Sequence, residues 1–111
     1  VQAFFAAARG GDLQALVSVL DPDVVSRVEL PGGRSRTARG AEEVAASAMT
    51  YANPRAELQP VVVNGSAGVV ARINGRPVAV MGFTIRNGRV AAIDGINDPG
   101  RLSLLDLPSQ S

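Results

Sequence analysis

The sequence predicts an α+β domain, with helices supplied by the first half and a curved antiparallel sheet by the second, packed around one core. Apolar residues recur at helical spacing up to residue 52. The dipeptide Asn-Gly occurs at 64–65, 74–75 and 87–88, each time between apolar segments. A chain of 111 residues with 46 % apolar content can also bury a single sizeable core.

Val1, Phe4, Phe5 and Ala8 fall at i, i+3, i+4 and i+7, one face of a first helix that Gly10-Gly11 ends. Asp12 caps a second helix whose apolar face is Leu13, Leu16, Val17 and Leu20, stopped by Asp21-Pro22. Val24, Val28 and Leu30 alternate with Arg27 and Glu29, the pattern of a strand with one wet face. Pro31-Gly32-Gly33 reads as a flexible loop carrying Arg34, Arg36 and Arg39. A third helix is expected from Gly40, because Glu42 and Glu43 suit the positive end of its dipole. Its inner face is Ala41, Val44, Ala45, Ala48 and Ala52, small enough to lie close to its cover, and Asn53-Pro54 ends it.

Asn-Gly favours positive φ at both central positions of a two-residue turn and is the strongest short hairpin signal. Three such hairpins in series predict a four-stranded meander over 57–63, 66–73, 76–86 and 89–97. The third strand is apolar almost throughout from Pro77 to Ile85, as a strand covered on both faces should be. Asp98 suits an N-cap and Pro99 a first helical position, so "NDPGRL" should turn the last strand into a short helix. One domain over 1–107 and a polar tail over 108–111 complete the plan.

Composition removes much chemistry. With no His and no Cys there is no Ser-His-Asp or Cys-His nucleophilic site and no usual zinc set, so neither metal nor cofactor is expected. All 11 basic residues are Arg, which excludes Schiff-base lysines and suggests a GC-rich, bacterial genome. Their scatter and a net charge of +1 give no footprint for nucleic acid. No apolar run approaches the ~18 residues that span a membrane. Val1 already lies inside an amphipathic pattern, which predicts an excerpt from a longer chain.

If every hairpin has a two-residue loop, register follows, with residue 85 opposite 90, 83 opposite 92 and 81 opposite 94. Asp94 then sits beside Met81 in a row continued by Gly68 and Val61, with Phe83 and Val70 in neighbouring rows. An Asp in such a pocket of Val61, Val70, Met81 and Phe83 would be desolvated, which raises a carboxylate's pKa and suits a general base. A single β-bulge would turn it to the other face, and pairing with an Arg near the mouth of the sheet is the bland alternative. Tyr51 is the only phenol and could donate to a ligand beside that carboxylate, or be a core residue with its hydroxyl at the surface. Asp94 and Tyr51 are thus the best catalytic pair if the chain is an enzyme. The Arg34, Arg36 and Arg39 cluster reads either as a site for an acidic partner or as a solvated loop.

The order of elements resembles the SnoaL-like, or nuclear-transport-factor-2-like (cystatin-like), fold, in which helices pack on a curved sheet around a conical cavity. "AAARGGDLQALVSVLDPDVVSR" is similar to the opening of that superfamily. "PVVVNGSAGVVARINGRPVAVMGFTIRNGRVAAIDGINDPGRLSLLDL" resembles the C-terminal domain of actinobacterial extracytoplasmic-function (ECF) sigma factors with a fused SnoaL-like module. In that group the appended domain modulates the upstream sigma domains, which themselves bind RNA polymerase and promoter. The family's "DGGGK" loop corresponds to Leu30-Pro31-Gly32-Gly33-Arg34, with Leu replacing the leading Asp and Arg the Lys. Its "NPDKL" ending corresponds to Asn97, Pro99, Arg101 and Leu102, with Asp98 inserted and Gly100 where the family has Asp. The resemblance therefore implies inter-domain contacts through Gly32, Gly33, Arg34, Asn97, Pro99 and Arg101. It further implies a cytoplasmic regulatory domain, with its own sigma domains and RNA polymerase as partners. Direct DNA contact and a membrane are not expected. A pocket that binds a small apolar ligand as a signal without turning it over is a further reading, compatible with the regulatory one, and homodimerisation through the exposed sheet is expected of the isolated domain. The competing reading is a stand-alone SnoaL-like isomerase, cyclase or hydrolase acting on a small apolar substrate.

Overall fold

The computed structural model describes residues 2–51, 55–63 and 65–105, without the side chains of residues 2 and 51. The first helix is α1 (Gln2–Gly10) and the second α2 (Leu13–Ser18). Asp12 caps α2 by accepting a hydrogen bond from the Ala15 amide at 3.1 Å. Leu16 is its fully buried residue, whereas Leu13 stays 45 % exposed. The helix stops at Ser18, two residues earlier than its apolar spacing suggests, and Leu20 already opens strand β1 (Leu20–Glu29). Pro22 is tolerated there because β1 is irregularly paired between Leu20 and Val25, where no ladder donor is needed.

The expected flexible loop is a single 3-10 turn, Pro31–Gly33, with Gly32 and Gly33 at φ 81° and 75°. It closes a hairpin onto β2 (Ser35–Arg39), so Arg36 and Arg39 belong to a strand and not to a loop. Helix α3 (Ala41–Tyr51) follows, with Val44 and Ala45 fully buried against the sheet. The predicted stop at Asn53-Pro54 lies outside the described residues, as does the tail at 108–111.

The meander forms as the turn chemistry requires: β3 (Glu57–Val63), β4 (Ser66–Ile73), β5 (Arg76–Arg86) and β6 (Arg89–Ile96). Asn74 and Asn87 both adopt φ 53°, and the glycines that follow them, Gly75 and Gly88, adopt φ 79° and 76°. That is the double positive-φ geometry of a two-residue hairpin turn. Val63 pairs with Ser66 across the first turn, although Asn64 itself lies outside the described residues. The six strands run in the order β2-β1-β6-β5-β4-β3. The sheet is mixed rather than wholly antiparallel, because β6 returns beside β1 and pairs with it in parallel.

Two one-residue irregularities flank β5 and shape the sheet. Against β4, the pairing steps from Ala71 opposite Ala79 to Arg72 opposite Pro77, which leaves Val78 extra. Against β6, it steps from Ile85 opposite Val90 to Thr84 opposite Ala92, which leaves Ala91 extra. Each bulge adds bend and twist to a strand that would otherwise be flat.

The helices cover one face of the sheet. All three phenylalanines meet there: Phe4, Phe5 and Phe83 pack edge to face, with centroids 5.2, 5.5 and 5.6 Å apart. They tie α1 to the middle of β5 within a cluster that includes Leu16, Leu20, Val24, Val44, Val90 and Ile93. The opposite face carries a second cluster. There Leu102 of α4 (Pro99–Leu102) buries against Val70 and Val80, with Val61, Val63 and Ile96 around it. As the sequence predicts, Asp98 caps α4 by accepting from the Gly100 amide at 3.0 Å, and Pro99 occupies its first turn.

Removing the central ring with Phe83→Ala should cost about 3–5 kcal/mol, read as a lowered urea midpoint at unchanged slope. Two glycines should respond in opposite directions in the same assay. A Cβ on Gly68 would lie 2.5 Å from Val63 Cγ2 and 2.8 Å from the Met81 carbonyl oxygen. Gly68→Ala should therefore destabilise by about 1–3 kcal/mol. Gly10, in the last turn of α1, has nothing within 4 Å of that position, so Gly10→Ala should be neutral or stabilise by up to about 1 kcal/mol.

Candidate functional site

Between the helices and the sheet lies a cavity of about 350 Å³, within the range of small-molecule sites. It exists because the residues facing each other across it are small. Ala8 of α1 and Ala48 of α3 oppose Ala71 of β4, Ala79 of β5 and Gly95 of β6. With three Phe, one Tyr and no Trp in the chain, there is little bulk to fill the gap. Phe4, Phe5, Leu58, Ile73 and Met81 are the larger apolar residues of its lining. Gly95 brings its backbone close beneath Val28 and Met81: a Cβ there would sit 3.3 Å from Val28 Cγ2 and 3.4 Å from Met81 Cγ.

The polar groups of the lining are few. Ser26, Ser47 and Asn97 contribute neutral donors and acceptors, and Arg9 and Arg36 contribute the only charges among the described residues. Arg9 projects from the last turn of α1, where its guanidinium donates to the Ala56 carbonyl oxygen just before β3. Arg36 reaches the lining from β2, opposite Val28 of β1. No Asp or Glu lines the cavity among the described residues.

The predicted pocket set is split by the sheet. Met81 lines the cavity and Phe83 is buried beneath it in the aromatic cluster, both on the helix-covered face. Val61 and Val70 lie on the opposite face, in the cluster under Leu102. Asp94 is on that face too, exposed, opposite Gly82 instead of Met81 and beside Arg27 in the parallel ladder. The extra Ala91 is the cause, since one inserted residue inverts every side chain that follows. Asp94, Gly68 and Val61 do share a row, as the hairpin count implied. The bulge at Val78 shifts β4 against β5 by the same single step, so Gly82 replaces Met81 between them. In place of the predicted set, Asp94 lines a recess on the outer face with Arg27, Glu29, Val63, Val80 and Ile96. The side chain of Tyr51 lies outside the described residues.

The residues expected at an inter-domain surface do come together. Gly32, Gly33 and Arg34 are exposed on the β1–β2 turn, and Asn97, Pro99 and Arg101 are exposed at the start of α4. Glu29, which immediately precedes that turn, joins the two groups. Its carbonyl oxygen accepts from the Asn97 amide at 2.7 Å, and its carboxylate pairs with Arg101 at 2.8 Å.

Sequence reasoning named Arg36 within the Arg34, Arg36 and Arg39 cluster and Ala8 and Ala48 on inner helical faces, but it missed Arg9 and the strand alanines Ala71 and Ala79 and placed none of these in the pocket. Ala8 was on the predicted helical face, so Arg9 one position further was legible as a neighbour of that face. Arg36 was hidden by reading 34–39 as loop, because strand alternation was not considered there.

Comparison with known proteins extends this description. The extracytoplasmic-function sigma factor SigJ of Mycobacterium tuberculosis is similar in structure, with a TM-score of 0.69 at 25 % identity. The match covers 92 % of this chain and 42 % of that one, so the chain spans less than half the length of that sigma factor. A Sinorhizobium meliloti protein described as a candidate polyketide cyclase gives 0.59 at 28 % identity, covering 84 % of this chain and 89 % of its own. A de novo designed protein with a curved β-sheet shares the fold alone, with 0.62 at 22 % identity over 93 % and 85 %. No curated protein sequence matches the chain. The model of the SnoaL-like domain matches residues 1–97, and the chain belongs to the SnoaL-like domain family.

Proposed function

We propose that this chain is the regulatory C-terminal domain of an ECF sigma factor, acting on its own sigma domains, with the cavity serving to bind a small molecule without turning it over. The observation that carries the non-catalytic part is the lining. General acid–base chemistry needs a titratable group within hydrogen-bond reach of the reacting atom. The described lining offers guanidinium, hydroxyl and amide groups only. Arginine stays protonated in proteins and cannot serve as a base. The similarity to SigJ over 92 % of this chain supports the sigma-factor part, as does the shared surface of the Gly32–Gly33 turn and the α4 start.

The competing enzyme reading draws on the likeness to the Sinorhizobium meliloti protein. It would need a base that the described cavity lining lacks, and Asp94 is on the wrong side of the sheet to supply one. Fold alone does not separate the two, because the same architecture hosts unrelated functions.

The in-frame sequence upstream of the Val1 codon tests the proposal first. About two hundred residues of helical sigma-type domains with a basic recognition helix support it. A start codon within a few residues of Val1 overturns it. In the full-length chain, Arg34→Ala and Arg101→Ala should change promoter output in a reconstituted transcription assay while the melting temperature stays within about 2 °C, as befits exposed sites. Unchanged output in both would remove this surface from the regulatory contact. Asp94→Asn should leave promoter output and any small-molecule turnover at the wild-type level and shift stability by no more than about 0.5 kcal/mol. Loss of a turnover activity in that variant would restore the enzyme reading.

A further inference from the structure

The outer face of the sheet, turned away from the helices, is only partly covered. Leu102 and the Arg101–Glu29 pair close the part next to α4. Register sets a different group of side chains on the part toward the β5–β6 turn. Arg27 is the parallel ladder neighbour of Asp94 and shares its face, and Arg39 of β2 is on that face as well, opposite Val25. Arg86 follows Gly82 and Thr84 in the outward alternation of β5, and Arg89 is its direct partner across the turn. All four arginines are exposed. Against them stand Asp94 and, at the irregular start of β1, Asp23. Among the described residues none of the four forms an ion pair, not even Arg27 with its ladder neighbour Asp94. Like charges directly opposite each other destabilise a strand pair, so the fold loses by setting Arg86 against Arg89 and forms no ion pair in return.

A second copy laid face to face on this region would oppose arginine with arginine, because a two-fold contact puts the same patch on both sides. A single nucleic acid strand would find guanidinium groups for its phosphates but no ring for its bases to stack on. The three Phe pack together under α1, and Tyr51 belongs to α3. Asp94 would also repel a phosphate chain, whereas a polypeptide can meet it with a hydroxyl or a cation of its own. We propose that this uncovered region docks an acidic polypeptide segment, rich in Glu or Asp, with small side chains set against Val25, Thr84 and Ala92. Guanidinium suits that partner because its planar fork bonds carboxylate oxygens in pairs. Arg27, Gly82 and Asp94 line a recess there, which gives one partner side chain a place to seat. The surface is separate from the cavity and from the Gly32–Gly33 turn, and it does not depend on either.

An alternating Glu-Ser peptide and an oligothymidylate of equal charge, each labelled with fluorescein, test the proposal by fluorescence anisotropy at low ionic strength. The peptide should bind the tighter of the two, and its binding should fade as salt is raised, since the contacts are exposed. Arg27→Gln, Arg86→Gln and Arg89→Gln should each weaken the peptide by about two- to fivefold, and the triple variant by about tenfold or more. Arg76→Gln removes the same charge from the far end of β5 and should leave the affinity within about twofold. Arg86→Glu gives Arg89 an opposite charge across the strand pair. It should raise the melting temperature by about 1–5 °C while weakening the peptide at least as much as Arg86→Gln does. A peptide that does not bind overturns the proposal. So does a peptide that Arg76→Gln weakens as much as the patch variants do, because net charge alone then accounts for its affinity. Tighter binding of the oligothymidylate overturns it in favour of nucleic acid, and a sedimenting dimer that the triple variant dissociates overturns it in favour of a second copy. Circular dichroism shows whether each variant is folded; should one single variant fail to fold, the other two carry the test.

Discussion

The organisation of this domain depends on β5 and the single extra residue in each of its two ladders, Val78 of β5 itself and Ala91 of β6. Side chains alternate strictly along a strand, so each bulge decides which residues face the helices. With Val78 and Ala91 unpaired, Ala79, Met81 and Phe83 turn inward, and Val80 and Gly82 turn outward together with Gly68 and Asp94. That allocation places the aromatic cluster under α1 and keeps the carboxylate on the solvent side. It also bends the sheet, and a bent sheet under helices faced with alanine leaves a space that close packing would otherwise eliminate.

The same architecture explains why the cavity persists without collapse. Its walls belong to two rigid layers fixed elsewhere, by the edge-to-face contacts of Phe4, Phe5 and Phe83 and by the buried Leu16, Val24 and Val44. Rim polarity comes from residues whose backbone is already committed to helix or strand, such as Arg9 and Arg36. Among the described lining residues, such a site combines apolar walls with guanidinium, hydroxyl and amide groups.

On the opposite face, α4 does two jobs with few residues. Leu102 covers Val70 and Val80, so the outer side of β4 and β5 is not left as bare apolar sheet. Arg101 meanwhile reaches Glu29 and joins the C-terminal segment to the end of β1, beside the Pro31–Gly33 turn. An exposed ion pair of this kind contributes about 0–1 kcal/mol, so its effect is to hold geometry more than to stabilise the fold. Segments about 70 residues apart in the chain thereby present one continuous surface.

What the sequence determined by itself is the set of elements and their ends. The three Asn-Gly pairs specified the hairpins because few other dipeptides tolerate positive φ at both turn positions, and Asp12, Asp98 and Pro99 specified helix starts through local hydrogen bonds. The helical face through Phe4, Phe5 and Ala8 was legible for the same reason, its period being a local property. Tertiary structure decided the rest. Whether β6 lies against β1, and in parallel, depends on where the meander ends in space, which no short window encodes. Strand β2 has little apolar patterning of its own, and it forms because β1 offers an unpaired edge. The two bulges leave no mark in composition or turn chemistry, yet each reverses the faces of a strand. Counting from the hairpins thus found the correct row for Asp94, Gly68 and Val61 but set Met81 among them, and assigned the row to the wrong side of the sheet.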